Sequence, residues 1–212
     1  MGRIVISENV TLDGVVEDPT GEEGFSLGGW FIQVGEADLA AWAEVAHHEA
    51  VDAEAFLLGR RSYEYLAARW PTRSGEFADR LNSMPKYVVS STLEAPDWNN
   101  STVLSGDAID EISTLKHELE GDIVVAASFE LVDALMEHDL VDELRLMVFP
   151  FVLGAGRRLF GETSDKKPMR LVETRTVGDG LALLAYHLRS RGGEAYFSSR
   201  ESRRSLSTRP DV

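Results

Sequence analysis

With 212 residues, 43% of them apolar, the chain is long enough for one α/β domain with a full core. Lacking cysteine, it can hold no disulfide framework, thiolate metal site or cysteine nucleophile. Its net charge of −15 argues against nucleic-acid binding by the body, since attraction to phosphate needs a basic face; no apolar run reaches bilayer length and the sequence opens directly on a strand-like segment, so a cytoplasmic protein without a membrane span is expected.

In chain order, Arg3 to Val10 alternates as a strand and runs into Thr11-Leu12-Asp13-Gly14, where Asp-Gly implies a turn. Asp13 is either a turn residue or the group that orients a substrate N–H and relays a proton. Residues 18–29, rich in Gly and acids, read as an exposed loop able to lie over a pocket; Trp30 and Phe31 at its end either line a binding surface or anchor the loop. Residues 37–51 form an amphipathic helix with Leu39, Trp42, Val45 and Ala46 on one face. On that helix His47 and His48 lie near Glu44 and Asp52, but no further cluster supports them, and no metal site is expected.

Residues 55–58 are a buried strand ended by Gly59, and residues 61–69 a helix stopped at Trp70-Pro71. A loop with Gly and Arg leads to a strand at 86–90, and residues 109–119 form another helix closed by Gly121. Residues 122–160 then give strand, helix, strand and Gly-rich loop, with Ala126, Ala127 and Ser128 at the first junction. Small residues there either pack closely or admit a ligand backbone to a helix start, whose free N–H groups favour an anion. Residues 169–176 and 181–188 alternate about Gly178-Asp179-Gly180, a hairpin signature. Residues 189–212 carry six Arg against three acids and read as a flexible Ser- and Arg-rich tail to a domain spanning 1–188. The expected architecture is a mostly parallel mixed sheet, helices on both faces, ending in an antiparallel hairpin.

Three strand ends deliver small or polar groups: Gly59-Arg60-Arg61-Ser62, Ser90-Ser91-Thr92 and Ala126-Ala127-Ser128. Ligands of open α/β sheets bind at the carboxyl ends of strands, so these converge on one elongated anionic ligand, with a dinucleotide expected. Serine lacks a recognisable His and Asp partner arrangement, so nucleophilic hydrolysis has no support.

Gly59-Arg60-Arg61-Ser62-Tyr63-Glu64 after a buried strand resembles the glycine-arginine-x-threonine-aromatic-glutamate element of dihydrofolate reductases, and Val88 to Thr92 resembles their second cofactor strand. Val10 to Gly14, Lys86 to Leu93, and Leu140 to Leu144 with Pro150, Leu153-Gly154 and Gly156 extend the resemblance to the reductase domain of the riboflavin-biosynthesis deaminase-reductase, over roughly residues 3 to 188. The resemblance implies a three-layer dihydrofolate reductase-like α/β fold, NADPH as cofactor and a homodimer. It implies Gly59, Arg60 and Ser62 at the cofactor phosphates, Ser90 and Ser91 near the adenosine 2′-phosphate, and Ala127, Ser128 and Phe129 at the pyrophosphate. Ala127 stands where the family usually has Gly, and the Asp-Asn-Pro-containing stretch that holds the ribityl phosphate is absent after Ser62, so the riboflavin intermediate is not the expected substrate. Ala37-Asp38-Leu39 resembles the start of the helix carrying the pterin-binding acid.

The function expected is reduction of a small heterocyclic, pterin- or pyrimidine-like, or conjugated carbonyl substrate by NADPH. Asp13 and Asp38 are the candidate catalytic carboxylates, and Trp30, Phe31 and Trp42 are the rings that can stack on the substrate. The alternatives are an idle dimeric nucleotide-binding protein and a dihydrofolate reductase proper, which needs Asp38 in the pocket.

Overall fold

The structure is a computed structural model that describes residues 1–188; the reading of residues 189–212 as a tail lies outside the described residues. The strands are β1 (Arg3–Thr11), β2 (Ala53–Gly59), β3 (Lys86–Val89), β4 (Ser101–Leu104), β5 (Asp122–Val125), β6 (Glu143–Phe149), β7 (Met169–Val177) and β8 (Leu181–Leu188). The α-helices are α1 (Glu36–Asp52), α2 (Arg60–Ala67), α3 (Glu76–Ser83), α4 (Ala108–Glu118) and α5 (Phe129–Glu137). The strands form one sheet in the order β4-β3-β2-β5-β1-β6-β8-β7. From β4 to β6 neighbouring strands run parallel; β8 pairs antiparallel with both β6 and β7. This is the expected mixed sheet with its terminal hairpin.

Alternation along the strands divides the core between two faces. Ile4, Ile6 and Val10 of β1, with Leu57 and Val125, pack against Ile112 and Leu115 of α4 and Leu131, Val132 and Leu135 of α5. Val5, Leu58, Val88 and Val124 point the other way, onto Ala50 of α1, Tyr63 of α2 and Leu81 of α3. Each such aliphatic side chain, fully buried, contributes about 1.5–3 kcal/mol of transfer free energy. The result is three layers. A satellite core of Trp30, Val45, Met147, Phe149 and Leu183 closes the β6–β8 side under α1.

Two elements differ from the sequence reading. The loop after Pro71 contains α3, whose Ala78 and Leu81 are buried, and polar Asn99-Asn100 leads into the short edge strand β4.

Strand lengths create the site. β5 stops at Val125, paired with Ile6 and Leu57, while β1 continues to Thr11 and β2 to Gly59. With no strand between those extensions, the sheet opens into a cleft at its carboxyl edge, where α2 and α5 begin.

Candidate active site

The cleft is a cavity of about 820 Å³ whose walls include Ser7, Glu8 and Asn9 of β1, the starts of α2 and α5, and the face of α1 bearing Trp42 and Glu49. The turns that start the two helices are bonded together. Gly59 N–H donates to Ser128 Oγ at 3.1 Å, Ser128 Oγ–H donates to the Ala126 carbonyl at 3.0 Å, and the Ser62 hydroxyl donates to the Ala127 carbonyl. Neither helix start has a side-chain cap. The N–H groups of the first helical turns, beyond the N-cap residues themselves, therefore remain as anion donors.

Ala127 adopts φ +55°, the left-handed region that costs a non-glycine residue, where the family resemblance has Gly. Arg60 reaches from α2 across to the loop after β3: its Nε donates to Glu64 at 2.7 Å and its Nη1 to Thr92 Oγ1. A guanidinium so held sits beside the loop containing Ser90 and Ser91.

The loop after β1 covers the mouth. Asp18 is buried and accepts N–H groups from Glu23 and Phe25, both at 3.0 Å, while its carbonyl accepts from Gly21 and Gly29. Burial pushes the Asp18 carboxyl up, but these backbone donors outweigh it and hold the group below its ordinary range. The loop is tied to α2 through Glu23 with Arg61, Glu22 with Arg69 at 2.5 Å, and Thr20 with the Tyr65 hydroxyl at 3.0 Å.

On the α1 side, Trp42 Nε1 donates to Asn9 Oδ1 at 2.8 Å, and the Ser7 hydroxyl donates to Glu49 Oε2 at 2.7 Å. Burial raises the Glu49 carboxyl, opposed by the Ser7 bond and by Arg145. On the other face Glu8 accepts the Ser128 N–H at 3.3 Å, and desolvation pushes its carboxyl up to about 8. Sequence reasoning missed both acids. For Glu8 a signal was present: it breaks the inward phase of Ile4, Ile6 and Val10 with a charge.

The cavity gathers Trp42, Gly59, Arg60, Ser62, Ala127, Ser128 and Phe129 of the predicted site residues. The others lie elsewhere. Asp13 accepts N–H groups from Leu153 at 3.2 Å and Gly154 at 2.8 Å and the Thr11 hydroxyl at 2.7 Å, so it fastens the loop after β6 and does not face the cavity. These bonds, the Thr11 hydroxyl first, lower its carboxyl to about 2. Asp38 Oδ1 accepts from Asp179 N–H at 2.6 Å and Gly180 N–H at 2.9 Å, so it caps the β7–β8 turn. The reading of Asp13 and Asp38 as catalytic carboxylates is corrected on these grounds: neither lines the cavity, Asp13 being bonded to Thr11 and the loop after β6 and Asp38 to the hairpin turn.

Trp30 is buried in the satellite core with Nε1 on the Glu17 carbonyl, and Phe31 packs edge-on against Trp42 at 4.8 Å, behind the cavity wall. Both are anchors, and the expectation that they line the pocket gives way to that packing. Ser90 lies outside the cavity wall and uses its Oγ to accept from Thr92 and Leu93, while exposed Ser91 is one residue further out. Among the described residues no group of three or more His, Asp or Glu is placed to hold a metal.

Comparison with known proteins bears on this geometry. The family model described as the RibD C-terminal domain matches residues 3–183. The chain belongs to that family. The uncharacterized protein YyaP of Bacillus subtilis (strain 168) is 27% identical over 190 residues, covering 87% of this chain and 94% of that protein. A solved structure of a candidate riboflavin biosynthesis protein from Shewanella sp. PV-4 superposes with TM-score 0.65 at 21% identity, covering 90% of this chain and 100% of that one. Dihydrofolate reductase from Enterococcus faecalis, complexed with NADP(H) and RAB-propyl, gives 0.54 at 15% identity, covering 89% and 98%. Identities this low bear on the fold alone. The fold is that of the RibD reductase domain and of dihydrofolate reductase, and no helix among the described residues is long and apolar enough to cross a membrane.

Proposed function

We propose that this RibD C-terminal domain protein is an NADPH-dependent reductase of a small planar heterocycle, pyrimidine- or pterin-like, acting as a homodimer. The observation that carries the reading is the convergence of two uncapped helix starts, at Gly59 and Ser128, on one cavity with Arg60 beside them. Orphan N–H groups on two sides and a bidentate cation fit an elongated diphosphate with a further phosphate. NADPH, when bound, supplies the hydride.

The chain's own work is to bind, orient and exclude water. The turns at Gly59 and Ala127-Ser128 hold the diphosphate, Arg60 meets the 2′-phosphate, and the loop of residues 18–29 covers the mouth. The substrate side is the α1 wall, where Trp42, fixed by Asn9 and backed by Phe31, offers a ring face, and Glu49 with Ser7 offers acceptors. A wall of acceptors suits a neutral heterocycle rich in N–H donors and repels a phosphorylated one. That agrees with the missing Asp-Asn-Pro stretch. The dihydrofolate reductase alternative loses its acid, since Asp38 is committed to the hairpin.

Calorimetric titration with NADPH and NADH tests the reading. Arg60→Ala is expected to weaken NADPH by about tenfold or more while NADH changes by less than about twofold, as a charge-assisted bond to the extra phosphate requires. Equal losses would remove Arg60 from the 2′-phosphate, and no binding of either cofactor by the unmodified chain would overturn the proposal.

A further inference from the structure

The site described above contains an acid that anion binding must reckon with. Glu8 lies on the inward phase of β1, beside the gap left by the end of β5, and its Oε1 accepts the Ser128 N–H at 3.3 Å. The Ala127 N–H acts on the same carboxyl. The left-handed conformation of Ala127 turns these consecutive donors to one side, as in backbone anion nests. The carboxyl therefore occupies the Ser128 donor that the diphosphate of a dinucleotide needs.

Building on the reading under Proposed function, we propose that Glu8 is a cofactor-contacting residue that takes part only in its protonated form, so that dinucleotide binding is coupled to one proton on this carboxyl. An ionised Glu8 and a diphosphate cannot share this turn in a desolvated cleft, because each repels the other. A neutral Glu8 can, its O–H donating to a phosphate oxygen. Burial already favours that state: it pushes the carboxyl up to about 8 although both backbone donors pull the other way.

Apart from Arg60, assigned above to the 2′-phosphate, the charged groups around the cavity supply no free counter-charge for the diphosphate. From α2, Arg60 is paired with Glu64 and Arg61 with Glu23. From the loop after β6, Arg157 lies over the Phe129 ring at 4.3 Å and pairs with Asp133 at 3.3 Å and Glu130 of α5 at 3.7 Å. Glu17 and Asp18 from the covering loop and Glu49 from α1 add only negative charge. Lys86, desolvated and near Arg80, is lowered to about 8 and titrates in the same range, but it lies at the start of β3 with its Nζ on the carbonyls of Met84 and Asn99.

The sign follows from the raised value. Below about pH 8 Glu8 is mostly neutral and affinity is full; above it, binding must first return the proton, and affinity falls as pH rises. The test is calorimetric measurement of Kd for NADPH and NADH from about pH 6.5 to 9.5, on the unmodified chain, Glu8→Gln and Glu8→Ala. The unmodified chain is expected to bind both cofactors about tenfold more weakly at pH 9 than at pH 7, as one group titrating near 8 requires. Both variants are expected to lose that dependence, and Glu8→Ala reads the same term should Glu8→Gln fold poorly. Binding by a variant alone supports the proposal, since it identifies the Glu8 charge as the obstacle. A pH-independent Kd in the unmodified chain, or an unchanged slope in the variants, which would assign it to another group, overturns it. Failure of all three proteins to bind either cofactor at any pH instead removes the cofactor reading itself, and this inference with it.

Discussion

Ala127 is where sequence and backbone pull against each other. Its φ of +55° costs an L-residue about 1–2 kcal/mol, whereas Gly adopts it freely but loses roughly 0.5–1 kcal/mol more in unfolded-state entropy. Ala127→Gly is therefore expected to stabilise the protein by about 0.5–1 kcal/mol. For a chain of this size that is a rise of about 1–3 °C in the thermal midpoint by calorimetry. The same change clears a methyl group from the turn that presents N–H groups to the cleft, so NADPH is expected to bind several-fold more tightly in the variant. A lower midpoint would mean that the Ala127 methyl group makes packing contacts worth more than the strain.

At the scale of elements, the β7–β8 hairpin depends on a carboxylate from a different layer. Asp38, in the first turn of α1, accepts two N–H groups of the turn, and Gly178 between the strands has φ +62° and no room for a Cβ against Asp38. Asp38→Ala strands two donors and is expected to destabilise the fold by about 1–3 kcal/mol, read by urea denaturation. NADPH affinity should be unchanged, because neither Asp38 nor the turn lines the cavity. A large loss of affinity with intact stability would return Asp38 to the site.

The same pair illustrates how far the sequence could be read. The hairpin, the parallel strands and the starts of α2 and α5 were legible because alternation, helical spacing and Gly or small-residue boundaries are local signals, and the resemblance carried Gly59, Arg60, Ser62 and Ala127 to Phe129 into the cavity. Asp38 and Asp13 were misread because a carboxylate bonded to backbone more than 130 residues away looks, in sequence, like one awaiting a substrate. Glu8 did carry a local signal, a charge in the inward phase of β1, but its place beside the cleft follows from β5 ending four residues into its pairing with β1, which only the register reveals. Glu49 matters only because α1 packs over Ser7 and Arg145. Helix α3 is short and mostly polar and strand β4 has only four residues, and tertiary packing supplies what propensity does not.

For the whole molecule, charge and surface decide association. The chain carries −15 at pH 7, so two copies repel at low salt. The edge strand β7 nevertheless exposes Leu171 (45%) and Val172 (39%) at a register shift against β8, an apolar pair on an otherwise polar edge. A homodimer that covers this edge would gain from apolar burial and pay in electrostatic repulsion, and only the second contribution is screened by salt. Sedimentation velocity is expected to give a larger dimer fraction in about 0.5 M NaCl than in about 0.02 M, as the Debye length contracts from roughly 20 Å to under 5 Å. Leu171→Glu is expected to shift the protein toward monomer at both salt concentrations. A monomer at every concentration of salt and protein would remove the dimer from the proposed function. A dimer indifferent to Leu171→Glu would put the interface on another face of the molecule.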